Sequence, residues 1–370
     1  MQVDWVLLLQ VLLLTAFTTF VIIEFVTPLA VKLGLVDRPN NTRKHHVGDV
    51  PLAGGIAVFI STAVGCIFWL GASVDIMKFY LLASSFVVFV GILDDKYELS
   101  VRARLVGQTI VSFLIVVGAQ THLSSLGDLF GFGDITLNPS AAFLLTVFAV
   151  LAVINAFNML DGMDGLLGCV SIVPLMSAGL LMMNSAMPYQ CLVSLIIASA
   201  IVPFLVYNIG VPGSKNLTKI FLGDAGSMFL GLSVVFLMIS GSQGEQVAFN
   251  PVTALWLTAI PLMDLATVTA RRIYKRSPIF NADKEHLHHV LMRAGFTRKQ
   301  ILLLVMSSSL LFAVIGVLGQ KAGMPEPLMF GAFLACFGCY AVLIHGRIRQ
   351  HKFLTFLAGL LNRRRQTEFS

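Results

Sequence analysis

Charge is what this chain has least of. Only 12% of its 370 residues are Asp, Glu, Lys or Arg, while 57% are hydrophobic and the mean hydropathy is +0.86. A soluble domain carries about a quarter charged residues, so a soluble globular enzyme is excluded. For such a chain, length is no guide to domain count. Cysteine is also sparse. Cys66, Cys169, Cys191, Cys336 and Cys339 all fall in apolar runs, which excludes a disulfide framework. Cys336 and Cys339 have the spacing of a metal or redox pair, but they lie inside the apolar stretch 330–344 and are read as buried packing. No internal repeat and no long polar linker interrupts the chain. The net charge of +6 is a product of uneven loops and indicates no nucleic-acid partner.

What the chain has in abundance is long apolar runs. A spanning helix needs roughly 20 apolar residues to cross about 30 Å of hydrocarbon. Eleven runs approximate this: 5–26, 54–72, 78–93, 104–119, 141–157, 165–184, 190–208, 226–241, 252–269, 301–318 and 328–345. The first is too long for a signal-peptide core and lacks a small-residue cleavage site, so it is read as a retained span. An odd number of spans puts the termini on opposite sides. Of the 25 lysines and arginines, only Lys78 and Lys321 then fall on the side of the N-terminus. A wrong span count would scatter these charges, so the opposite side is read as cytoplasmic. The basic C-terminal residues, Arg347, Arg349, Lys352 and Arg363 to Arg365, are placed at the anionic leaflet.

Nearly all the polar chemistry falls on that cytoplasmic side. The run Asn158-Met159-Leu160-Asp161-Gly162-Met163-Asp164-Gly165 follows an apolar span directly. Charged groups at the mouth of a membrane bundle are costly unless they hold a metal, a partner or a substrate. If the run is helical, Asn158, Asp161 and Asp164 share one face; the plain alternative is a polar turn. Asp94 and Asp95 end the third span, followed by Arg104. Adjacent carboxylates suit Mg²⁺, or a base whose proton affinity is raised by its neighbour, or simply a solvated helix end. Phe221-Leu222-Gly223-Asp224 leads into a span that Gly226 and Ser227 could start, with Asp224 near its positive end. Capping alone would account for Asp224, and core packing for Phe221.

His286, His288 and His289 share a loop with Arg271, Arg272 and Lys275. No thiolate is nearby, so anion binding is favoured over zinc. As exposed loop residues, the histidines are expected to leave stability within about 1 kcal/mol when replaced, and to act as mildly charged donors. The segment Asp37-Arg38-Pro39-Asn40, then Arg43-Lys44-His45, is basic and precedes Gly54-Gly55, where free backbone amides at a helix start would welcome phosphate. Ordinary positive-inside charge is the alternative. Glu24 and Asp264 lie inside spans, where an ionisable residue is a functional or pairing candidate by default.

In this order the clusters resemble the polyprenyl-phosphate N-acetylhexosamine-1-phosphate transferase family over about residues 40–350. The motifs are the basic segment before Gly54-Gly55, the pair Asp94-Asp95, NxxDGxDG at 158–165, Tyr207-Asn208, FxGDxGS at 221–227 and HxHH at 286–289. The HxHH form with Asp283 and Arg272 before it is most similar to the undecaprenyl-phosphate N-acetylglucosaminyl-1-phosphate transferase subgroup. The resemblance implies Mg²⁺, or Mn²⁺, on Asp224, with Asn158 as a second ligand. It implies a lipid phosphate near Asp94 and Asp95, which with Asp161 are the candidate catalytic acids. It places Arg104 beside that pair, and Asp164, Asn208 and Phe221 at a uridine pocket. It places the histidine motif, His286, His288 and His289, near the sugar-nucleotide diphosphate; Lys44, His45 and Arg272 are further candidates for substrate binding.

The expectation is therefore an all-α integral membrane protein, a polytopic bundle of about eleven transmembrane helices with cytoplasmic catalytic loops. Residues 1–352 would form one transmembrane catalytic domain and 353–370 a basic tail. The implied reaction moves GlcNAc-1-phosphate from UDP-GlcNAc to undecaprenyl phosphate and releases UMP, the first membrane step of O-antigen or related surface-glycan synthesis. The partners are those two substrates, the bacterial inner-membrane bilayer and a second copy in a homodimer. Two alternatives remain at this point. An aspartate-rich intramembrane prenyltransferase predicts two acidic motifs on paired helices. An ion-coupled transporter predicts midplane charges, discontinuous helices and inverted repeats.

Overall fold

The computed structural model describes residues 5–38, 48–70, 75–185, 187–210, 217–277, 285–345 and 354–359. Lys44 and His45 lie outside these residues, as do Asp283, the basic residues from Arg347 to Lys352 and Arg363 to Arg365. Helix dominates. The chain forms α1 (Trp5–Lys32), α2 (Gly54–Leu70), α3 (Asp75–Tyr97), α4 (Val101–Phe113), α5 (Pro139–Leu160), α6 (Leu166–Met183), α7 (Pro188–Ile209), α8 (Gly223–Ser242), α9 (Pro251–Leu257), α10 (Ala259–Tyr274), α11 (Leu287–Arg293), α12 (Arg298–Lys321) and α13 (Glu326–His345). The only sheet among the described residues is a two-residue pair, β1 (Val36–Asp37) antiparallel to β2 (Val50–Pro51).

The apolar runs become helices because a backbone in hydrocarbon must satisfy its own hydrogen bonds. Among the described residues, nine helices are long and apolar enough to cross a membrane, and a tenth is counted if α9 and α10 form one span. The 17-residue apolar α2 occupies the remaining predicted span. The fold is that of a polytopic all-α membrane protein. Its outer helices confirm the setting: only 22% of the apolar window of α1 and 22% of that of α13 is buried, and Phe17, Phe25 and Phe68 stand exposed. A surface this apolar fits lipid, not water.

Three expectations need correction. The ninth predicted span is not one helix: α9 and α10 meet at Thr258 with a bend of 84°. Pro261, in the first turn of α10, has no N–H to return to the carbonyl of Leu257, the last residue of α9. The amides of Gly54 and Gly55 at the start of α2 are not free for phosphate. They donate to the Phe221 and Leu222 carbonyls at 2.9 Å each. Of the cysteines, Cys66, Cys169 and Cys191 are buried, but Cys336 is only partly so and Cys339 is exposed, because α13 turns its outer face to lipid.

The centre of the bundle is α8, whose membrane window is 100% buried. It threads between α2, α3, α5 and α6. Small residues allow this, as they do generally where membrane helices cross closely. A Cβ on Gly91 of α3 would lie 2.3 Å from the Ala225 Cα, and one on Gly55 of α2 would lie 2.3 Å from the Gly226 Cα. These crossings sit at the first turn of α8, so they fix the height of Asp224 against the end of α3. Away from the crossings, Glu24 of α1 has the partner its position called for: the Tyr207 hydroxyl of α7 donates to it.

Candidate active site

The polar clusters converge at one end of the bundle. Asp95 receives the Asp224 amide at 2.8 Å and the Ala225 amide at 3.2 Å, so it caps α8 from the neighbouring helix α3. Asp94 is 5% exposed and also lies against the Asp224 carboxyl. It accepts the Leu99 amide at 2.8 Å and Arg104 Nη1 at 3.1 Å. The adjacent pair thus has divided duties, one carboxylate holding α8 and the other holding Arg104. Asn158, near the end of α5, donates from Nδ2 to Asp224 Oδ1 at 2.6 Å and to Ser227 Oγ at 2.9 Å.

The turn after α5 is not a helical extension. The helix ends at Leu160, Asp161 is its C-cap, and Gly165 takes φ +74° before α6 begins. Asn158, Asp161 and Asp164 therefore do not line one helix face. Asp164 pairs with Lys219 Nζ at 2.6 Å, with Arg298 Nη1 at 3.9 Å. Lys219 also lies 5.2 Å from the ring centre of Phe221. Asn208, buried at the end of α7, bridges two loops: Oδ1 accepts the Gly165 amide at 2.5 Å and Nδ2 donates to the Ile220 carbonyl at 2.8 Å. The residues expected around a uridine are brought together, and Asn208 is engaged within the protein at both ends of its amide.

Asp161 is exposed to solvent. Desolvation by the surrounding protein, then the charges of Asp224 and Asp164, push its carboxyl up, to about 7. Solvent access works against the rise. A carboxyl in this range can hold or release a proton near neutral pH.

The histidine motif is more enclosed than its sequence implies. His286 is 5% and His288 1% exposed. The His286 and His288 rings are nearly parallel, 8° between planes and 6.4 Å between centres, and His289 lies 4.1 Å from His288. Burial, and then the neighbouring histidines, push the His288 ring down to about 3, so it is neutral at physiological pH. Neither of its ring nitrogens has a protein partner. The expectation of an exposed, mildly charged donor is corrected for His288. Arg272, in the last turn of α10, is likewise buried.

The donor set suits a hard divalent cation. Asp95 feels the charges of Asp224 and Asp94, and Asp224 feels that of Asp94. Among the described residues, no three His, Cys, Asp or Glu side chains form a complete metal cage. Mg²⁺ needs none. It takes one or two protein carboxylates and completes its shell with water and phosphate oxygens. Asp224 and the carbonyl oxygen of Asn158 are the groups that could hold it.

Residues 77–242 match glycosyl transferase family 4. The chain is 38% identical over 354 residues to the undecaprenyl-phosphate alpha-N-acetylglucosaminyl 1-phosphate transferase of Salmonella typhimurium, covering 95% of this chain and 94% of that protein. The protein of the same name from Yersinia pestis is 38% identical over 329 residues, 88% of each chain. That from Escherichia coli K12 is 37% identical over 353 residues, 94% of each. The chain belongs to this family of transferases. The stretch matched to glycosyl transferase family 4 contains the carboxylates, Arg104, Asn158, Asn208 and Phe221, and ends before the histidine motif. The transferase relatives span that motif as well.

Two features of the transferase site were not singled out from its sequence as site residues. Asp264 of α10 receives His286 Nδ1 at 2.8 Å, the Leu287 amide at 3.0 Å and the Tyr340 hydroxyl at 2.9 Å. Glu285 pairs with Arg271 at 2.8 Å and Lys275 at 3.3 Å. Asp264 had one signal, an ionisable residue in an apolar run; Tyr340 had none.

Proposed function

We propose that this transferase moves GlcNAc-1-phosphate from UDP-GlcNAc to undecaprenyl phosphate, giving undecaprenyl-diphosphate-GlcNAc and UMP. The observation that carries the reading is the meeting of Asp94, Asp95, Asp224, Asn158 and Arg104 at the head of the buried helix α8. The relatives are named for the acceptor, undecaprenyl phosphate, and the transferred N-acetylglucosaminyl 1-phosphate, for which UDP-GlcNAc is the implied donor. Phosphoryl transfer asks for in-line positioning and neutralised charge more than for covalent chemistry. In this reading a lipid-phosphate oxygen forms a bond to the β-phosphorus as the bond to the α-phosphate oxygen breaks, and UMP leaves.

Bound at Asp224 and Asn158, Mg²⁺, or Mn²⁺, would neutralise diphosphate charge. In this reading Arg104, held by Asp94, receives the acceptor phosphate. That phosphate is already largely ionised near neutral pH, so Asp161 needs only to take up the remaining proton. His286 and His289 offer ring nitrogens to the sugar-nucleotide phosphates, with Arg272 a further candidate, while His288, neutral and with both ring nitrogens buried, packs the motif against the acidic turn. Lys219, Phe221 and Asp164 form the wall suited to a uridine.

The positive-inside bias supports a cytoplasmic position for this face; in this reading the enzyme works in the inner membrane and its product starts a lipid-linked surface glycan such as O-antigen. Lys78 in the first turn of α3 and Lys321 at the end of α12 lie at the opposite ends of their helices from the site, which supports that orientation. The broken α9–α10 pair is one feature a transporter would share, but the charge nearest it, Asp264, is committed to His286, Leu287 and Tyr340. The test is UMP release by the full chain in lipid nanodiscs. It should require both UDP-GlcNAc and undecaprenyl phosphate; release independent of the lipid phosphate, or none, would refute the reading.

A further inference from the structure

Asp264 is 2% exposed, in the apolar first half of α10. A carboxylate taken so far from water is costly unless its lone pairs are satisfied. Here three donors from two distant segments meet it. His286 Nδ1 approaches Oδ2 at 2.8 Å, while the Leu287 amide at 3.0 Å and the Tyr340 hydroxyl at 2.9 Å share Oδ1. Tyr340 belongs to α13, far from every motif in the chain. One residue before His286, Glu285 is tied to Arg271 in the last turn of α10 and to Lys275, its C-cap. The entry to α11 is therefore pinned at three consecutive residues, 285, 286 and 287, to a single helix.

The pin matters because of what His286 touches. Its ring lies parallel to His288 at 6.4 Å, and His288 lies edge-on to Gly162 in the turn that carries Asp161 and Asp164. An imidazole bound through Nδ1 has its tautomer and its plane fixed by that bond, which leaves Nε2 as the edge for a ligand. Carboxylates that orient a working histidine in this way act without touching the substrate.

We propose that Asp264, held in place by Tyr340, is a positioning residue for the transfer. It sets the plane and tautomer of His286 so that Nε2 faces the donor diphosphate and the His286–His288 stack keeps its register against the Asp161–Asp164 turn. This rests on the reading of the histidine motif as the donor-phosphate site. It goes beyond that reading because it assigns a role to a residue of the α10 interior and to one of α13, outside the motifs.

The experiment compares wild type, Asp264→Asn, His286→Ala and the double variant in nanodiscs, with UMP release followed while each substrate is varied in turn. Asp264→Asn should lower kcat/KM for UDP-GlcNAc roughly 10- to 100-fold and leave KM for undecaprenyl phosphate within about twofold. In the His286→Ala background the same change should add little, because residues acting as a unit are not additive. Additive losses, or equal damage toward both substrates, would mean that Asp264 only supports the fold and would overturn the proposal. Should Asp264→Asn fail to accumulate, Tyr340→Phe serves instead. A several-fold loss that vanishes in His286→Ala is expected, and an additive loss or no loss would overturn the proposal. Failure of the wild type to release UMP is a separate result and would remove the underlying reading.

Discussion

His288 lies against Gly162 so closely that a Cβ at position 162 would sit 2.1 Å from its Nε2. The histidine motif and the acidic turn are thus packed as one surface, although 126 positions separate the two residues (288 − 162). Gly162 is needed for this contact rather than for an unusual backbone, since it is not among the glycines with positive φ.

That contact predicts the effect of the smallest change available. Gly162→Ala should force the turn or the ring to move, at a cost of about 1–3 kcal/mol typical of overpacking. Steady-state kinetics should show impaired use of UDP-GlcNAc with the protein still folded. Unchanged kinetics would mean that the two surfaces are not coupled.

The burial of His288 predicts acid sensitivity. Its ring is held down to about 3 from an ordinary 6.5. Between those values the unfolded chain takes up a proton that the native protein refuses, so stability is full above about pH 6.5 and falls as pH drops toward 3. The share of His288 is roughly 2 kcal/mol at about pH 5. Thermal unfolding of His288→Gln across this range should show a shallower acid limb than wild type. An identical limb would contradict a buried neutral imidazole.

The α3–α8 crossing predicts a fold-level failure with a functional signature. A side chain on Gly91 meets the backbone of Ala225, which cannot swing aside as a side-chain tip can. Gly91→Val should lower thermal stability by several kcal/mol or prevent accumulation. Gly338→Val is a control on the lipid-facing α13, where nothing lies within 4 Å of an added Cβ. It should be tolerated.

The metal reading predicts that Asp224→Asn loses turnover by orders of magnitude while the protein still inserts and melts normally. Chelation of wild type should abolish turnover, and added Mg²⁺ should restore it. Near-normal activity of Asp224→Asn at ordinary Mg²⁺ would take Asp224 out of the metal site.

Much of this architecture was legible in the chain, for stated reasons. Spans show themselves because lipid demands long apolar runs, and Asp94, Asp161 and Asp224 show themselves because charge beside such runs is expensive. What was hidden is tertiary. The loop of His286 to His289 reads as exposed because its neighbours are basic, yet His288 is covered by residues supplied from elsewhere in the bundle. Tyr340 meets Asp264 across 76 positions, and no local pattern announces that. The break at Thr258 had a signal in Pro261, but an ambiguous one: Pro28, Pro174 and Pro203 lie inside helices that continue past them. The close crossings at Gly55, Gly91 and Gly226 look like ordinary apolar-run glycines until the partner backbone is in place.

The central claim concerns which bond of the donor breaks, and one labelling measurement addresses it. The full chain in nanodiscs would be given undecaprenyl phosphate and UDP-GlcNAc labelled at the β-phosphorus with ³²P. Transfer of GlcNAc-1-phosphate carries the label into the lipid fraction and leaves unlabelled UMP in solution. Label remaining in solution as UDP, with sugar on the lipid, would show that the glycosidic bond had broken instead and would contradict the account.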